Sequence, residues 1–169
     1  MEKTDYEKVK QITEQQEELL RFRKFSNRDA LDLGNFIVDR IREKKLELAV
    51  AIRRLNGAIL FHHMTEGTNI NNQNWMERKF NTVSLMERSS LGVWALSLIT
   101  GETVAVHGLS EAEYVFVGGG FPIRLQTGEI AGVLTVSNLH HIEDHQFIVD
   151  SLSEWLNVRE VPWLSEYMV

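Results

Sequence analysis

Two pairs of short apolar runs, beginning 73 positions apart, constrain the fold of this chain more than any other feature. The first pair is Leu48-Ala49-Val50-Ala51-Ile52 and Ala58-Ile59-Leu60-Phe61-His62-His63-Met64, joined through Asn56-Gly57. The second is Phe121 to Gln126 and Ile130 to Ser137, joined through Thr127-Gly128. Asn-Gly between two apolar runs predicts a hairpin with a type I′ turn, whose two central residues both have positive φ. Successive strand residues point to opposite faces. These runs are apolar at both parities, so the sheet they form is expected to be covered on both sides.

Helical periodicity supplies the covers. Ala30, Leu33, Gly34, Ile37, Val38 and Ile41 recur at the spacing of one helix face and predict a helix over about 28–44. Ser26 or Asn27 stands at its cap with Asp29 in the first turn. Gly34 on the stripe predicts close approach to another backbone. A loop over 65–72 leads to a helix over about 73–88, with Met76, Lys79, Phe80 and Val83 on one stripe. Ser89 or Ser90 caps a helix over 91–99 that ends at Gly101. Ser110-Glu111-Ala112-Glu113 reads as a capping box opening a short helical turn. The last helix spans about 142–157.

The reading is an α+β domain: two antiparallel hairpins in one sheet, helices on both faces, and an extra N-terminal helix. Residues 1–25 read as that polar helix, 26–160 as a single domain and 161–169 as a tail. The N-terminal helix is poor in apolar residues and is expected to lie on the surface or against a second subunit. The tail carries Trp163, Leu164 and Tyr167, too apolar for water. Both observations predict a homo-oligomer, a dimer or larger.

Composition narrows function by exclusion. The 169 residues contain no Cys, which removes thiolate metal sites, thiol catalysis and disulfide scaffolds. Eighteen basic against twenty-four acidic side chains give a net charge of −6, which argues against a nucleic-acid partner. No apolar run reaches the roughly 20 residues of a membrane span, and Met1-Glu2-Lys3-Thr4-Asp5 lacks the apolar core of a signal peptide. A cytoplasmic protein is expected. Dinucleotide, P-loop and HExxH patterns are absent, as is any Ser/His/Asp arrangement.

Several segments together carry a resemblance. They are Phe25 to Gly34, Asn74 to Val83, Ser89-Ser90, His107-Gly108-Leu109, Gly118-Gly119-Gly120-Phe121-Pro122-Ile123, and Gly128 to Leu139 followed by Asp144-His145. In that order the chain resembles the GlcG/HbpS-like haem-degrading domain superfamily, in its branch of uncharacterised small proteins. The resemblance implies a profilin-like or PAS-like sheet, self-assembly through helical surfaces, and haem as a cofactor to consider. Ser137-Asn138-Leu139 departs from the Ser-Gly usual there. Asn tolerates left-handed geometry, so the turn survives in a less open form.

The candidate ligand-binding residues are His145, Arg78, Lys79, Trp75, Gly119 and Gly120; catalytic residues are not identified, and no metal site is expected. His145 lies on the inward stripe of the last helix near its N-terminus, where burial and the helix dipole favour the neutral imidazole. It is either a hydrogen-bonded core residue or a pocket residue, and His141 joins its face if the helix starts early. Lys79 on an apolar stripe and Arg78 within stacking reach of Trp75 form either an anion clamp or a snorkelling pair. Gly118-Gly119-Gly120 is either an anion-binding nest or a turn feeding an edge strand at Pro122. His62 and His63 alternate in a strand and cannot chelate together. Asp144 beside His145 faces another direction and makes no dyad with it.

The function that follows is a small oligomeric ligand-binding protein of the GlcG/HbpS-like type, taking haem or a small anion. The alternatives are a non-enzymatic assembly module and a weak haem-degrading or redox enzyme.

Overall fold

The computed structural model describes residues 3–164. Its sheet contains β1 (Ala49–Arg53), β2 (Ile59–Met64), β3 (Gly120–Arg124) and β4 (Ile130–Ser137), all antiparallel, in the order β2-β1-β4-β3. The two hairpins therefore join through their inner strands. Val50 and Ile52 on β1, Phe121 and Ile123 on β3, and Leu134 and Val136 on β4 share one face. That face packs on α2 (Asn27–Glu43) and α5 (His141–Leu156) through Leu33, Ile37, Ile41, Ile148 and Leu152. On the other face Ala49, Ala51 and Val133 meet Met76, Phe80 and Val83 of α3 (Ile70–Met86). The period-2 alternation of the strands thus feeds two separate cores, as the two-faced runs predict.

The helix starts follow their caps. Ser26 accepts from the Asp29 amide, and Asp29 returns a bond to the Ser26 amide, a complete capping box. Asn69 and Asn72 make the same reciprocal pair at α3, so that helix begins three residues before the predicted start and shortens the loop. Ser89 caps α4 (Ser90–Thr100), and Gly101, at φ 77°, ends it.

Four expectations are corrected. The Asn56-Gly57 turn is not type I′, because Gly57 alone has positive φ, at 92°. The Gly57 amide bonds to the Arg54 carbonyl and the Arg54 amide to the Ala58 carbonyl, a three-residue loop whose extra residue appears as a register shift at Ile52/Arg53. β2 is a half-exposed edge strand, its outward side chains only partly covered by α2. The Ser110 segment makes a hydrogen-bonded turn and no helix; the short 3₁₀ turn lies earlier, at Ala105–His107. Gly34 is approached by a ring, not by backbone: a Cβ there would lie 2.3 Å from Phe61 Cγ.

The polar N-terminal helix, α1 (Lys3–Leu19), stops short of residue 25 and docks on its own chain. Val9 packs with Leu91, Ala95 and Ile142, joined from the tail by Leu164. Thr13 and Gln16 are fully buried beside them. Its last residues continue to Phe22, which bridges to Leu125 beyond the open edge of β3. Trp163 is 62% exposed, and Tyr167 lies outside the described residues. The helix and Leu164 find partners within the chain, so they no longer argue for a second copy.

Gly34→Ala drives a methyl into the root of the Phe61 ring, and overpacking of this kind costs about 1–3 kcal/mol. The variant is expected to unfold at lower urea, with Gly34→Ala/Phe61→Leu recovering most of the loss. Equal midpoints for Gly34→Ala and the parent protein would show that the ring moves aside freely.

Candidate functional site

α3 and the β4–α5 turn diverge where the sheet ends and leave an open cleft of about 470 Å³. Its floor is an ion pair. Lys79, 2% exposed, donates from Nζ to Asp144 Oδ2 at 2.8 Å and to the Val136 carbonyl at 2.9 Å. Asp144, equally buried, sits in the first turn of α5, and its Oδ1 accepts from the Leu139 amide at 3.0 Å. Burial pushes the Lys79 ammonium below its ordinary pKa and the Asp144 carboxyl above its own; their mutual attraction opposes both shifts.

Glycine is required beside this pair. Gly119 holds φ 106°, and a Cβ there would stand 2.5 Å from Lys79 Nζ and 2.9 Å from the Val136 carbonyl oxygen. The neighbouring amides are engaged: Gly118 donates to His141 Nδ1 at 3.1 Å, and Gly120 to Ser90 Oγ at 2.9 Å. The stretch is a turn into the edge strand β3, with two of its three amides unavailable to an anion.

The rim is largely polar. Asn72 reaches from α3 to Asn138 Oδ1 at 3.2 Å, and Asn138 donates to the Glu47 carbonyl at 3.0 Å. These bonds hold Asn138 at φ 142°, a conformation L side chains rarely adopt. The departure from Ser-Gly therefore preserves a glycine-like backbone. Trp75 and Asn71 border the cleft from α3, His140 and His141 from α5. His141 is neutral: burial, helped by His140 and the Lys79 charge, lowers its pKa to about 4. Its Nδ1 accepts from Gly118, so its proton is on Nε2.

The six sequence candidates are divided by this geometry. Lys79 and Trp75 line the cleft; Gly119 packs behind the Lys79 amine, and Gly120 is buried against Ser90, outside the cleft lining. Arg78 stacks on Trp75, 4.6 Å from its centroid, but lines a separate depression with Glu102, Glu111, Tyr114 and Phe116. His145 is fully buried and turned away. Its Nε2 donates to Gln16 Oε1 at 2.8 Å, and Gln16 donates onward to the Pro162 carbonyl at 2.8 Å. Burial, then the nearby His141, lowers its pKa to about 3. So His145, Lys79 and Arg78 do not share one pocket, and the Lys79 charge faces a carboxylate of its own chain. Sequence reasoning missed Asp144, Asn72, Asn138 and His140. A lysine on an apolar stripe needs a buried acid, but nothing local marks Asp144, sixty-five positions on, as that acid. Among the described residues no cluster of three or more His, Asp or Glu is arranged for a metal ion, and no helix is long and apolar enough to cross a membrane.

Comparison with known proteins agrees with this architecture. The family model described as "Haem degrading protein HbpS-like" matches residues 25–153. A UPF0303 protein of Schizosaccharomyces pombe is 32% identical over 154 residues, covering 90% of this chain and 86% of that protein. A UPF0303 protein of Yersinia pseudotuberculosis is 32% identical over 147 residues, covering 86% and 85%. Among solved structures, the Ybr137w protein superposes with a TM-score of 0.78 at 26% identity, over 90% of this chain and 87% of that one. HbpS superposes with a TM-score of 0.63 at 16% identity, over 80% and 92%. The structure titled "PduOC:Heme Complex" gives 0.64 at 17%, over 76% and 93%, which speaks to the fold.

Two outcomes follow from the buried groups. Removing one partner of a buried pair strands a charge and costs about 3–5 kcal/mol, whereas replacing both by apolar residues is close to neutral. In urea titrations Lys79→Met is expected to lose that much, and Lys79→Met/Asp144→Leu to recover most of it. For His145, the folded pKa of about 3 lies below the unfolded value of roughly 6.5. The unfolded chain then binds the extra proton between these values. The contribution is complete above about pH 6.5 and is lost as pH falls toward 3, at about 1.4 kcal/mol per pH unit for the residue. His145→Gln should flatten the fall of the urea midpoint between pH 6 and pH 4; an unchanged slope would place the titration elsewhere.

Proposed function

The chain belongs to the HbpS-like family, and from that premise we propose that it is a small-ligand-binding protein with its ligand in the Trp75–His140 cleft. One observation carries the reading. The cleft combines an aromatic wall, the amides of Asn71 and Asn138 and an exposed imidazole above a floor whose two charges already match. Small-molecule sites have this composition, an apolar surface with a few placed polar groups, at volumes of roughly 300–1,000 Å³.

Haem is the ligand to test first, since one fold relative is described as a haem complex. Holding haem iron would need an imidazole nitrogen that is free and reachable from the cleft. His145 leaves Nδ1 unpaired but is fully buried, with Nε2 taken by Gln16. His141 accepts from Gly118 and so keeps its proton on Nε2. His140 stands exposed at the cap of α5 and makes no side-chain capping bond. The lining fits haem: His140 would hold the iron and Trp75 would border the ring. When bound, haem supplies a redox-active iron centre and its Soret absorption. The chain contributes the imidazole, the aromatic wall and partial exclusion of water. Lys79 is not the propionate clamp, because Asp144 already takes its charge.

Association with further copies belongs to the same reading. Ile59 and Ile70 are 64% and 75% exposed, large apolar side chains without cover in one chain. Light scattering at micromolar concentration is expected to give a mass above the 19.5 kDa of one chain; a persistent monomer would remove this part.

Haemin titration followed at the Soret band tests the ligand. The parent protein should shift the band saturably, and His140→Ala should weaken binding at least tenfold with circular dichroism unchanged. His145→Ala should lower the melting temperature and leave haemin affinity within about twofold. If the parent protein gives no saturable shift, haem is not the ligand. An oligomer without that shift would favour the assembly module, and haem loss under reductant the degrading enzyme.

A further inference from the structure

We propose that Lys79 is a nucleophilic amine that condenses with a small neutral aldehyde or ketone entering the cleft, with Asp144 carrying the protons. The proposal shares the cleft with the haem reading but does not depend on iron or on His140.

Three features of the floor point to this chemistry. Lys79 lines an open cleft although its side chain is almost wholly buried; on this proposal the part of it that a ligand meets is the amine, largely withheld from bulk water. Its ammonium has three hydrogens and two protein partners, Asp144 Oδ2 and the Val136 carbonyl. The third hydrogen is left for an acceptor that a ligand carbonyl oxygen can provide. Third, the base is already in contact. Asp144 Oδ2 lies 2.8 Å from Nζ, while its other oxygen is fixed by the Leu139 amide at 3.0 Å. A proton moved along that contact converts an ion pair into a neutral amine and a neutral acid. Burial favours the uncharged partner on both sides, which lowers the cost of the exchange. A structural lysine requires only the ion pair; it does not require a cleft opening onto it.

The ligand class follows from charge. Among the described residues the cleft lining includes no lysine or arginine besides Lys79, whose charge is matched by Asp144, whereas a neutral carbonyl compound meets Asn71, Asn138 and the Trp75 ring. The bond changes balance without any further reactant. Asp144 takes one proton from Nζ, and the nitrogen lone pair attacks the carbonyl carbon as the C=O π pair moves to oxygen. That oxygen takes the proton from Asp144. Asp144 then takes a second proton from nitrogen and delivers it to the hydroxyl, which leaves as water while the C=N bond forms. Nitrogen loses two hydrogens, both depart in the water, and the protonated imine keeps the positive charge opposite Asp144.

Reductive trapping tests the proposal. The full chain is incubated at pH 7 with propanal or benzaldehyde and cyanoborohydride, and alkylation of each lysine is followed by peptide mass spectrometry. The six other lysines provide the internal reference. An ordinary lysine, with a pKa of about 10.4, is almost entirely protonated at this pH. Lys79 is expected to be alkylated at least tenfold faster than the mean of the six. Asp144→Asn, folded by circular dichroism, should lose that excess. If Asp144→Asn does not fold, the parent protein at pH 5 and pH 8 replaces it, the excess over the surface lysines being expected to be larger at pH 5. Alkylation of Lys79 no faster than that of the surface lysines overturns the proposal, as does an excess that survives in folded Asp144→Asn or, in the pH arm, an excess no larger at pH 5. The haemin titration reads iron, so its failure leaves this result standing, and the reverse holds.

Discussion

The Lys79–Asp144 pair is the interaction on which the rest of this structure depends. It joins three elements at one point: α3 supplies the ammonium, α5 the carboxylate, and β4 the Val136 carbonyl that takes a second ammonium hydrogen. Two charges removed from water are costly unless their remaining donors and acceptors are met. Here the Leu139 amide meets the second carboxylate oxygen, which also fixes the direction in which the chain enters α5. The pair therefore specifies geometry more than it adds stability. It sets how far α3 and α5 stand apart at this end of the sheet, and that spacing is the cleft.

α1 is held by the same kind of bond. An apolar stripe would have made it an ordinary amphipathic helix, yet its buried positions include Thr13 and Gln16 beside Val9. Gln16 links His145 to the Pro162 carbonyl, so one amide side chain ties the first helix, the last helix and the tail. The next residue, Glu17, accepts from the Ser89 amide at 2.7 Å and lies 3.9 Å from Arg124. Burial raises the Glu17 pKa, and the Ser89 bond and the two nearby arginines oppose that rise. Such contacts are directional, so a helix with little hydrophobic drive can still be seated in one register.

This explains what was legible in the sequence. The strands, the covered sheet and the stripe of α2 were readable because hydrophobic burial writes a period into the chain. The bounds of β4 were equally plain, and the caps of α2 and α4 were narrowed to Ser26 or Asn27 and to Ser89 or Ser90, of which the structure uses Ser26 and Ser89. The site was less so. Lys79 and Trp75 could be singled out because each is unusual on its own helix. Their partner could not, because the Lys79–Asp144 bond spans sixty-five positions and nothing local marks the acid that answers a buried lysine. His145 shows the limit from the other side. Its stripe correctly implied burial and a neutral ring, but a residue facing the core and one facing a cleft share the same periodicity. Only Gln16, 129 positions away, decides between them.

The backbone around the cleft completes the argument. Asn138 is held at φ 142°, where a glycine would sit without strain, and two hydrogen bonds oppose its return to an ordinary conformation. Gly119, at φ 106°, packs against the Lys79 amine with no side chain at all. A Cβ at 119 would collide with the Lys79 amine and the Val136 carbonyl together, so any other residue would displace the ion pair from its seat. Strained backbone persists only where the surroundings over-determine it. Here both unusual residues lie close to one buried amine: Asn138 is tied to α3 through Asn72 and to the segment before β1 through the Glu47 carbonyl, and Gly119 to β4 through the Val136 amide. The opening in front of Lys79 is therefore a consequence of how these elements are locked together, and a ligand entering it meets a floor already set in place.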